Sequence, residues 1–168
     1  YILFSTSSST VYNIGFCISK STKIKKDVLL LLYSLIFFMI CCCEFKDSDL
    51  ICVKIAKLKL LLIDNYDSFT YNIVELLRQL KMDDISIKRN NEVDIEQAHQ
   101  FDKIIISPGP ATPSESGNIL EIIKALSPGR SILGICLGHQ AIAEVFGARL
   151  HNMQHPYHGY QTELNLLI

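Results

Sequence analysis

Short apolar runs, separated by amphipathic segments, dominate the chain from residue 59 onwards. Lys59–Ile63, Lys103–Ser107 and Ser131–Ile135 are apolar runs of strand length. Runs of this kind, without alternation, are typical of strands buried on both faces of a parallel sheet. Asp84–Lys88 alternates and predicts a shorter strand. We expect Ala148–His151 to begin a further strand.

The segments between these runs have helical patterns. After the first strand, Asp67 or Ser68 can cap a helix, whose apolar stripe contains Tyr71, Ile73, Val74, Leu76, Leu77 and Leu80. Val93–Phe101 predicts a short polar helix or turn, and Ile119–Leu126 and Gly138–Phe146 predict helices. Strands that alternate with helices at this spacing predict a three-layer α/β domain with a mostly parallel sheet.

The composition changes near Leu58. Residues 1–58 contain five of the six cysteines and carry seven basic and four acidic residues, whereas residues 59–168 carry nine basic and thirteen acidic residues. Val28–Cys43 is almost wholly apolar and follows a cluster of lysines, so a short membrane anchor is one interpretation, although a bilayer core requires about 20 apolar residues. We therefore treat residues 1–58 and 59–168 as unrelated segments.

A second interpretation of residues 1–58 is upstream read-through. The chain begins with Tyr1 rather than methionine, and this segment lacks helical or alternating periodicity outside the apolar run. We expect translation to start at or near Leu58, which favours a cytoplasmic protein without membrane attachment. The net charge of −1 and the pI near 6.6 give no signature of nucleic-acid binding.

One five-residue stretch has the spacing of a nucleophile elbow: Gly134-Ile135-Cys136-Leu137-Gly138. In such an elbow a sharp strand-to-helix turn exposes the nucleophile, here a thiol in place of a hydroxyl. The amides and the dipole at the helix N-terminus favour the thiolate form. The alternative interpretation of these five residues alone is a buried cysteine in a tight turn.

Three segments together resemble the class I glutamine amidotransferases: Asp64–Asn72, then Ser107–Pro110 with Pro113–Gly117, and finally Gly134–Gln140. The first of these segments is also similar to the small subunits of anthranilate synthase and aminodeoxychorismate synthase. The resemblance covers residues 59–168 and corresponds to the first part of such a domain. It implies a flavodoxin-like fold that is incomplete at the C-terminus.

The resemblance also implies a reaction. Cys136 would attack the side-chain amide carbon of L-glutamine, release ammonia and leave a glutamyl thioester for water to hydrolyse. The backbone amides of Gly109 and Leu137 would form the oxyanion hole. The residues implied in substrate binding are Gly109, Pro110, Ala111, Leu137 and Gln140.

Ala111 occupies a position where the family usually has a second glycine, and its methyl group can narrow the glutamine pocket. The implied partner is a chorismate-using synthase subunit, for either tryptophan or folate synthesis. The resemblance implies no metal and no organic cofactor on this subunit. Asp67 and Ser68 are interpreted as helix caps rather than catalytic residues.

The family also uses a histidine and a glutamate two residues apart, well beyond the elbow, and this sequence has no such pair. His155-Pro156-Tyr157 lacks the carboxylate, and His158-Gly159 resembles an earlier His-Gly of the family. We therefore expect this chain by itself to be inactive as a glutaminase. Two other interpretations remain: a non-catalytic α/β module that binds glutamine or a partner, and a remnant of a broken reading frame.

Overall fold

The computed structural model describes residues 2–5, 11–14 and 58–151. Within these residues the strands are β1 Ile2–Ser5, β2 Val11–Ile14, β3 Leu60–Asp64, β4 Ile85–Arg89, β5 Lys103–Ile106 and β6 Ser131–Ile135. The helices are α1 Thr70–Gln79, α2 Ile95–Ala98, α3 Ile119–Leu126 and α4 Leu137–Val145, with a 3-10 turn at Pro113–Glu115.

Four strands form a parallel sheet in the order β4-β3-β5-β6. Leu62 lies opposite Ile87 on one side and Ile105 on the other, which fixes the register. Every residue of β3, β5 and β6 is buried, because helices cover both faces of such a sheet. The edge strand β4 is only partly buried. This arrangement confirms the predicted α/β class with a mostly parallel, flavodoxin-like sheet.

Beyond β6 the sheet continues with antiparallel pairs. The backbone of β1 pairs with β6, with Ile2 opposite Ile135, and β2 pairs with β1. The sheet therefore has the strand order β2-β1-β6-β5-β3-β4 within the described residues. Val28–Cys43 and residues 152–168 lie outside them, so the interpretations of the apolar segment and of His155 and His158 stay predictions.

The helices form two layers because the chain reverses its direction across the sheet. From β3 the chain moves outwards to β4, and from β4 it moves back across the sheet to β5 and then β6. Right-handed crossovers then place α1 on one face, and α2 and α3 on the other. One buried core joins the second face to its helices: Leu61, Ile63, Val93, Ala98, Ile104, Ile106, Ile119, Ile122, Ile123, Leu126, Ile132, Ala141 and Ile142.

The buried face of α1 differs from the predicted stripe at one position. Ile73, Val74, Leu76 and Leu77 are buried as predicted, but the side chain of Tyr71 is 70% exposed. Thr70 is buried instead, and its hydroxyl donates to the Asp64 carboxylate at 2.7 Å. The hydrogen bond satisfies the buried hydroxyl, so a polar residue can occupy the buried position.

The prediction that Asp67 or Ser68 caps α1 was wrong in its detail. The N-cap residue is Phe69, and no side chain caps the helix there. The Asp67 carboxylate accepts from the Phe69 amide at 2.8 Å, one residue before the helical turns begin. Asp67 therefore stabilises the turn that leads into the helix.

The strand predicted at Ala148–His151 was also wrong. These residues belong to no helix or strand and are exposed. A strand needs a neighbour for its backbone hydrogen bonds, and β1 occupies the side of β6 that β5 leaves open. Helix α4 ends at Val145, and Gly147 has φ +88°, a left-handed conformation that commonly terminates helices.

We predict that Gly138→Ala destabilises the protein, whereas Gly129→Ala does not. A Cβ atom at residue 138 would lie 2.5 Å from the Ile106 carbonyl oxygen and 2.8 Å from its Cβ, and one at residue 129 would meet nothing within 4 Å. Overpacking of this kind costs about 2 kcal/mol. Urea denaturation followed by circular dichroism measures both variants, and equal free energies of unfolding would contradict the prediction.

Candidate active site

The elbow at Cys136 joins β6 to α4 through a strained backbone. Cys136 has φ +54° and ψ −104° and is the N-cap residue of α4, a conformation that costs a non-glycine residue of order 1–3 kcal/mol. A Cβ atom at Gly134 would collide with the carbonyl group of Gly138. The two glycines that flank the cysteine therefore allow the helix to fold back closely over the end of the strand.

Cys136 lies at the N-terminus of α4. The first hydrogen bond of α4 runs from the Gln140 amide to the Cys136 carbonyl at 3.0 Å. The preceding amides, including that of Leu137, therefore have no acceptor within the helix. These amides and the positive end of the helix dipole stabilise a negative charge at the N-terminus. Cys136 is partly exposed.

The loop after β5 lies against the elbow. Ser107 extends the sheet by one bond, from its amide to the Ile63 carbonyl at 3.0 Å, and the following prolines end the pairing. A Cβ atom at Gly109 would lie 2.7 Å from Leu137 Cδ2 and 2.8 Å from the Asn65 carbonyl oxygen. The structure thus brings Gly109 next to Leu137, the two residues predicted from the sequence to supply the oxyanion amides.

The predicted substrate-binding residues differ in exposure. Pro110 and Ala111 are exposed on the loop, Leu137 is buried, and Gln140 is partly buried one helical turn beyond Cys136. Ala111 has φ +70°, in the left-handed region that favours glycine. A strained alanine therefore occupies the position where the sequence resemblance expects glycine.

A 3-10 turn anchors the far end of this loop. The Thr112 hydroxyl donates to Glu115 Oε2 at 2.8 Å, and the Thr112 amide contacts the same oxygen at 3.2 Å. The Ser116 hydroxyl donates to the Thr112 carbonyl at 2.7 Å. These contacts fix Thr112, the residue directly after Ala111. They therefore help to keep the backbone of Ala111 in its strained conformation.

A buried polar network at the ends of β3, β4 and β5 was not foreseen from the sequence. Asn65 donates from Nδ2 to the Ser107 carbonyl at 2.8 Å and accepts from Asn90 Nδ2 at 3.1 Å. The backbone N–H of Asn65 also donates to Ser107 Oγ at 2.9 Å. The signal in the sequence was a polar residue directly after each of three consecutive strands, since parallel strands end at one edge of a sheet.

An ion pair extends this polar edge towards solvent. Arg89 Nη1 lies 3.2 Å from the buried Asp64 carboxylate, and its guanidinium stacks 4.4 Å from the centre of the Tyr66 ring. The Tyr66 hydroxyl donates to Asn91 at 2.9 Å. Tyr66 has φ +60°, so positive φ angles occur after β3, β5 and β6, at the edge where open α/β sheets bind ligands.

An open depression of about 440 Å³ lies at the starts of α2 and α3. It is lined by Asp94, Ile95, Glu96, Asn118 and Glu121, and none of these is a predicted site residue. The elbow therefore remains the candidate active site.

Comparison with known proteins agrees with this geometry. A family model described as "Glutamine amidotransferase class-I" matches residues 61–167. The chain belongs to the class I glutamine amidotransferase family. In the part of the chain that the structure describes, no helix is long and apolar enough to cross a membrane.

Several curated relatives of this amidotransferase-family chain are named as synthase components. Anthranilate synthase component 2 of Pseudomonas aeruginosa is 42% identical over 108 residues, which are 63% of this chain and 53% of the relative. The aminodeoxychorismate/anthranilate synthase component 2 of Bacillus subtilis is 42% identical over 62% of this chain and 55% of its own length. Aminodeoxychorismate synthase component 2 of Klebsiella aerogenes is 46% identical over 60% of this chain and 54% of its own length. The chain spans about half the length of these relatives.

We expect Ala111→Gly to stabilise the protein by about 1 kcal/mol, because glycine adopts the left-handed conformation without the penalty of a Cβ atom. Ala143→Gly, within α4, is the matched control and should destabilise by about 1 kcal/mol. Urea denaturation of both variants measures the sign of each change in the free energy of unfolding. A loss of stability in Ala111→Gly would show that the positive φ carries no strain.

We also predict a pH dependence of stability from His139. Burial lowers the pKa of its imidazole from 6.5 to about 4, so the folded protein favours the neutral ring. The unfolded chain therefore binds more protons than the folded protein between these pH values. The contribution of neutral His139 to the free energy of unfolding is fully present above pH 6.5 and decreases as the pH falls towards 4. The difference in free energy of unfolding between wild type and His139→Asn, measured from pH 7 to 4, should shrink on acidification. A constant difference would contradict the assignment.

Proposed function

We propose that the protein to which this chain belongs acts as the glutaminase component of a chorismate-using synthase, with Cys136 as the nucleophile. The observation that carries the proposal is the strained elbow, which holds Cys136 at a helix N-terminus, next to Leu137, whose side chain packs against Gly109. Membership of the class I family and the component 2 names of the relatives support it. We include in the proposal the domain from residue 59 to 168 and a cytoplasmic location.

In the proposed reaction the Cys136 thiolate adds to the side-chain amide carbon of glutamine. The carbonyl oxygen becomes an oxyanion, and the tetrahedral adduct collapses to a thioester when the nitrogen leaves as ammonia after protonation. Water then hydrolyses the thioester to glutamate and restores the thiol. The elbow supports this chemistry because it places Cys136 at a helix N-terminus, where backbone amides and the helix dipole stabilise a negative charge.

The proposed oxyanion donors are the backbone amides of Gly109 and Leu137. They follow different strands, β5 and β6, yet Gly109 packs against the Leu137 side chain. Each donor of this kind is worth about 3 kcal/mol in the transition state, because it is already oriented when the charge develops. Pro110, Ala111 and Gln140 are proposed to contact the substrate.

The proposed partner is the subunit that uses the ammonia. The relatives are named as second components of anthranilate and aminodeoxychorismate synthases, which requires a companion component. Tyr66 and Tyr71 are exposed at the edge of the sheet that carries the elbow, and exposed tyrosines are enriched in protein interfaces. This edge is therefore the proposed side of contact.

Covalent labelling tests the nucleophile. A chloroketone analogue of glutamine should form a thioether with Cys136, as the sulfur displaces chloride from the carbon beside the ketone. Mass spectrometry of tryptic peptides should locate one adduct, and glutamine, but not asparagine, should slow its formation. The other cysteines of the chain provide an internal reference for ordinary thiols.

Cys136→Ser is the matched control and should remain unlabelled by the chloroketone while keeping the fold. If Cys136 reacts no faster than the other cysteines, or if glutamine gives no protection, the glutaminase proposal fails. A chain that binds glutamine without this reactivity would instead fit the non-catalytic module.

A further inference from the structure

Asn65 lies buried at the end of β3, against the loop after β5. Its side chain is only 2% exposed, and it bonds to Ser107 on β5's extension and to Asn90 at the end of β4. A buried amide with partners on two neighbouring strands is held in one orientation, since breaking either bond leaves a buried polar group unsatisfied. Its position is therefore well defined.

The same residue forms the floor beneath Gly109. A Cβ atom at Gly109 would collide with Asn65 Cβ and would lie 2.8 Å from the Asn65 carbonyl oxygen. The backbone of Gly109 thus rests directly on Asn65, with Leu137 on its other side. A shift of Asn65 would move Gly109 relative to the Leu137 amide.

Asn90 holds Asn65 from behind. The backbone N–H of Asn90 donates to the backbone carbonyl of Asp64 at 3.1 Å. The backbone carbonyl of Asn90 accepts from the backbone N–H of Asn118 at 3.2 Å. A Cβ atom at Gly117 would lie 2.7 Å from this carbonyl oxygen, so the backbone packs closely there as well. Asn90 is fixed on both sides, and it can therefore orient the Asn65 amide.

We infer that Asn65, oriented by Asn90, is a positioning residue that sets the Gly109 amide at the distance from Cys136 and Leu137 that an oxyanion requires. Asn65 contacts Ser107 and Gly109 and acts through them rather than on the substrate. This inference rests on the proposed glutaminase function. It assigns to the first sequence motif a role in transition-state geometry.

Two reagents separate positioning from a general loss of structure. Iodoacetamide alkylates Cys136 and requires only an accessible thiolate, whereas the chloroketone analogue of glutamine also requires donors for its ketone oxygen. The ratio of the two rate constants at Cys136, measured by mass spectrometry on the full chain, therefore reports the oxyanion geometry. A change in folding or in thiol pKa alters both rates together.

The first variant is Asn65→Asp, which retains the size of the side chain and the acceptor for Asn90 but loses the donor to the Ser107 carbonyl. We expect the chloroketone-to-iodoacetamide ratio to fall about tenfold, less than the loss of an entire oxyanion donor. The second variant, Asn90→Ala, retains Asn65 but removes the Asn90 Nδ2 group that donates to the Asn65 side chain. It should lower the ratio in the same direction, which keeps the test decisive if Asn65→Asp does not fold.

Thr70→Val is the matched control. It removes a buried hydrogen bond of 2.7 Å to Asp64 at the end of the same strand, on the side away from the Gly109 loop. The ratio should stay at the wild-type value. An unchanged ratio in folded Asn65→Asp or Asn90→Ala, or an equal fall in Thr70→Val, would overturn the inference.

The wild-type protein shows which hypothesis fails. If wild-type Cys136 reacts with the chloroketone under glutamine protection but the Asn65 and Asn90 variants keep its ratio, only the positioning role is wrong. If the wild-type protein shows no glutamine-sensitive labelling, the glutaminase proposal itself fails, and the inference fails with it.

Discussion

The close approach of α4 to the ends of β5 and β6 is the constraint on which the candidate site depends. Gly134 and Gly138 leave no room for a side chain between strand and helix, and Gly138 also packs on Ile106. The approach forces Cys136 into a left-handed conformation. The burial of Leu137, Ala141 and Ile142 in α4 offsets this strain, since a buried aliphatic side chain of the size of leucine contributes roughly 1.5–3 kcal/mol.

Parallel pairing then decides what lies beside the elbow. Because β3, β4, β5 and β6 run in one direction, their carboxyl ends bring together segments that are far apart in the sequence. The Asn65 side chain bonds to residues 25 and 42 positions away. Polar side chains can be buried here because each finds a partner on the next strand, and an unsatisfied one would cost about 1–3 kcal/mol.

The sequence predicted the elements whose patterns are local. Ser131–Ile135 and Ile119–Leu126 have the bounds that were expected, because continuous burial and helical periodicity are written in consecutive residues. The glycines of the elbow were interpretable for the same reason. The exposure of Tyr71 and the absence of a strand at Ala148–His151 depend on partners from elsewhere in the chain, which local patterns do not contain.

The least predictable feature was the effect of an alanine at residue 111, where the sequence resemblance expects glycine. The effect of the Ala111 methyl group on the pocket stays a prediction, and the structure shows in addition that this residue is exposed and has a positive φ. The energetic consequence is therefore in the loop itself, between Gly109 and the Thr112 turn.

The two proposed oxyanion amides lie in the segments that follow separate strands, β5 and β6, so no local sequence fixes the distance between them. That distance depends on how β3 and β4 support the loop after β5, through Asn65 and Asn90. Geometry at about 0.5 Å precision is what distinguishes a reactive site from one that only contains the right groups. Residues that never touch the substrate can therefore set the reactivity of Cys136, and the first sequence motif contributes to chemistry through packing.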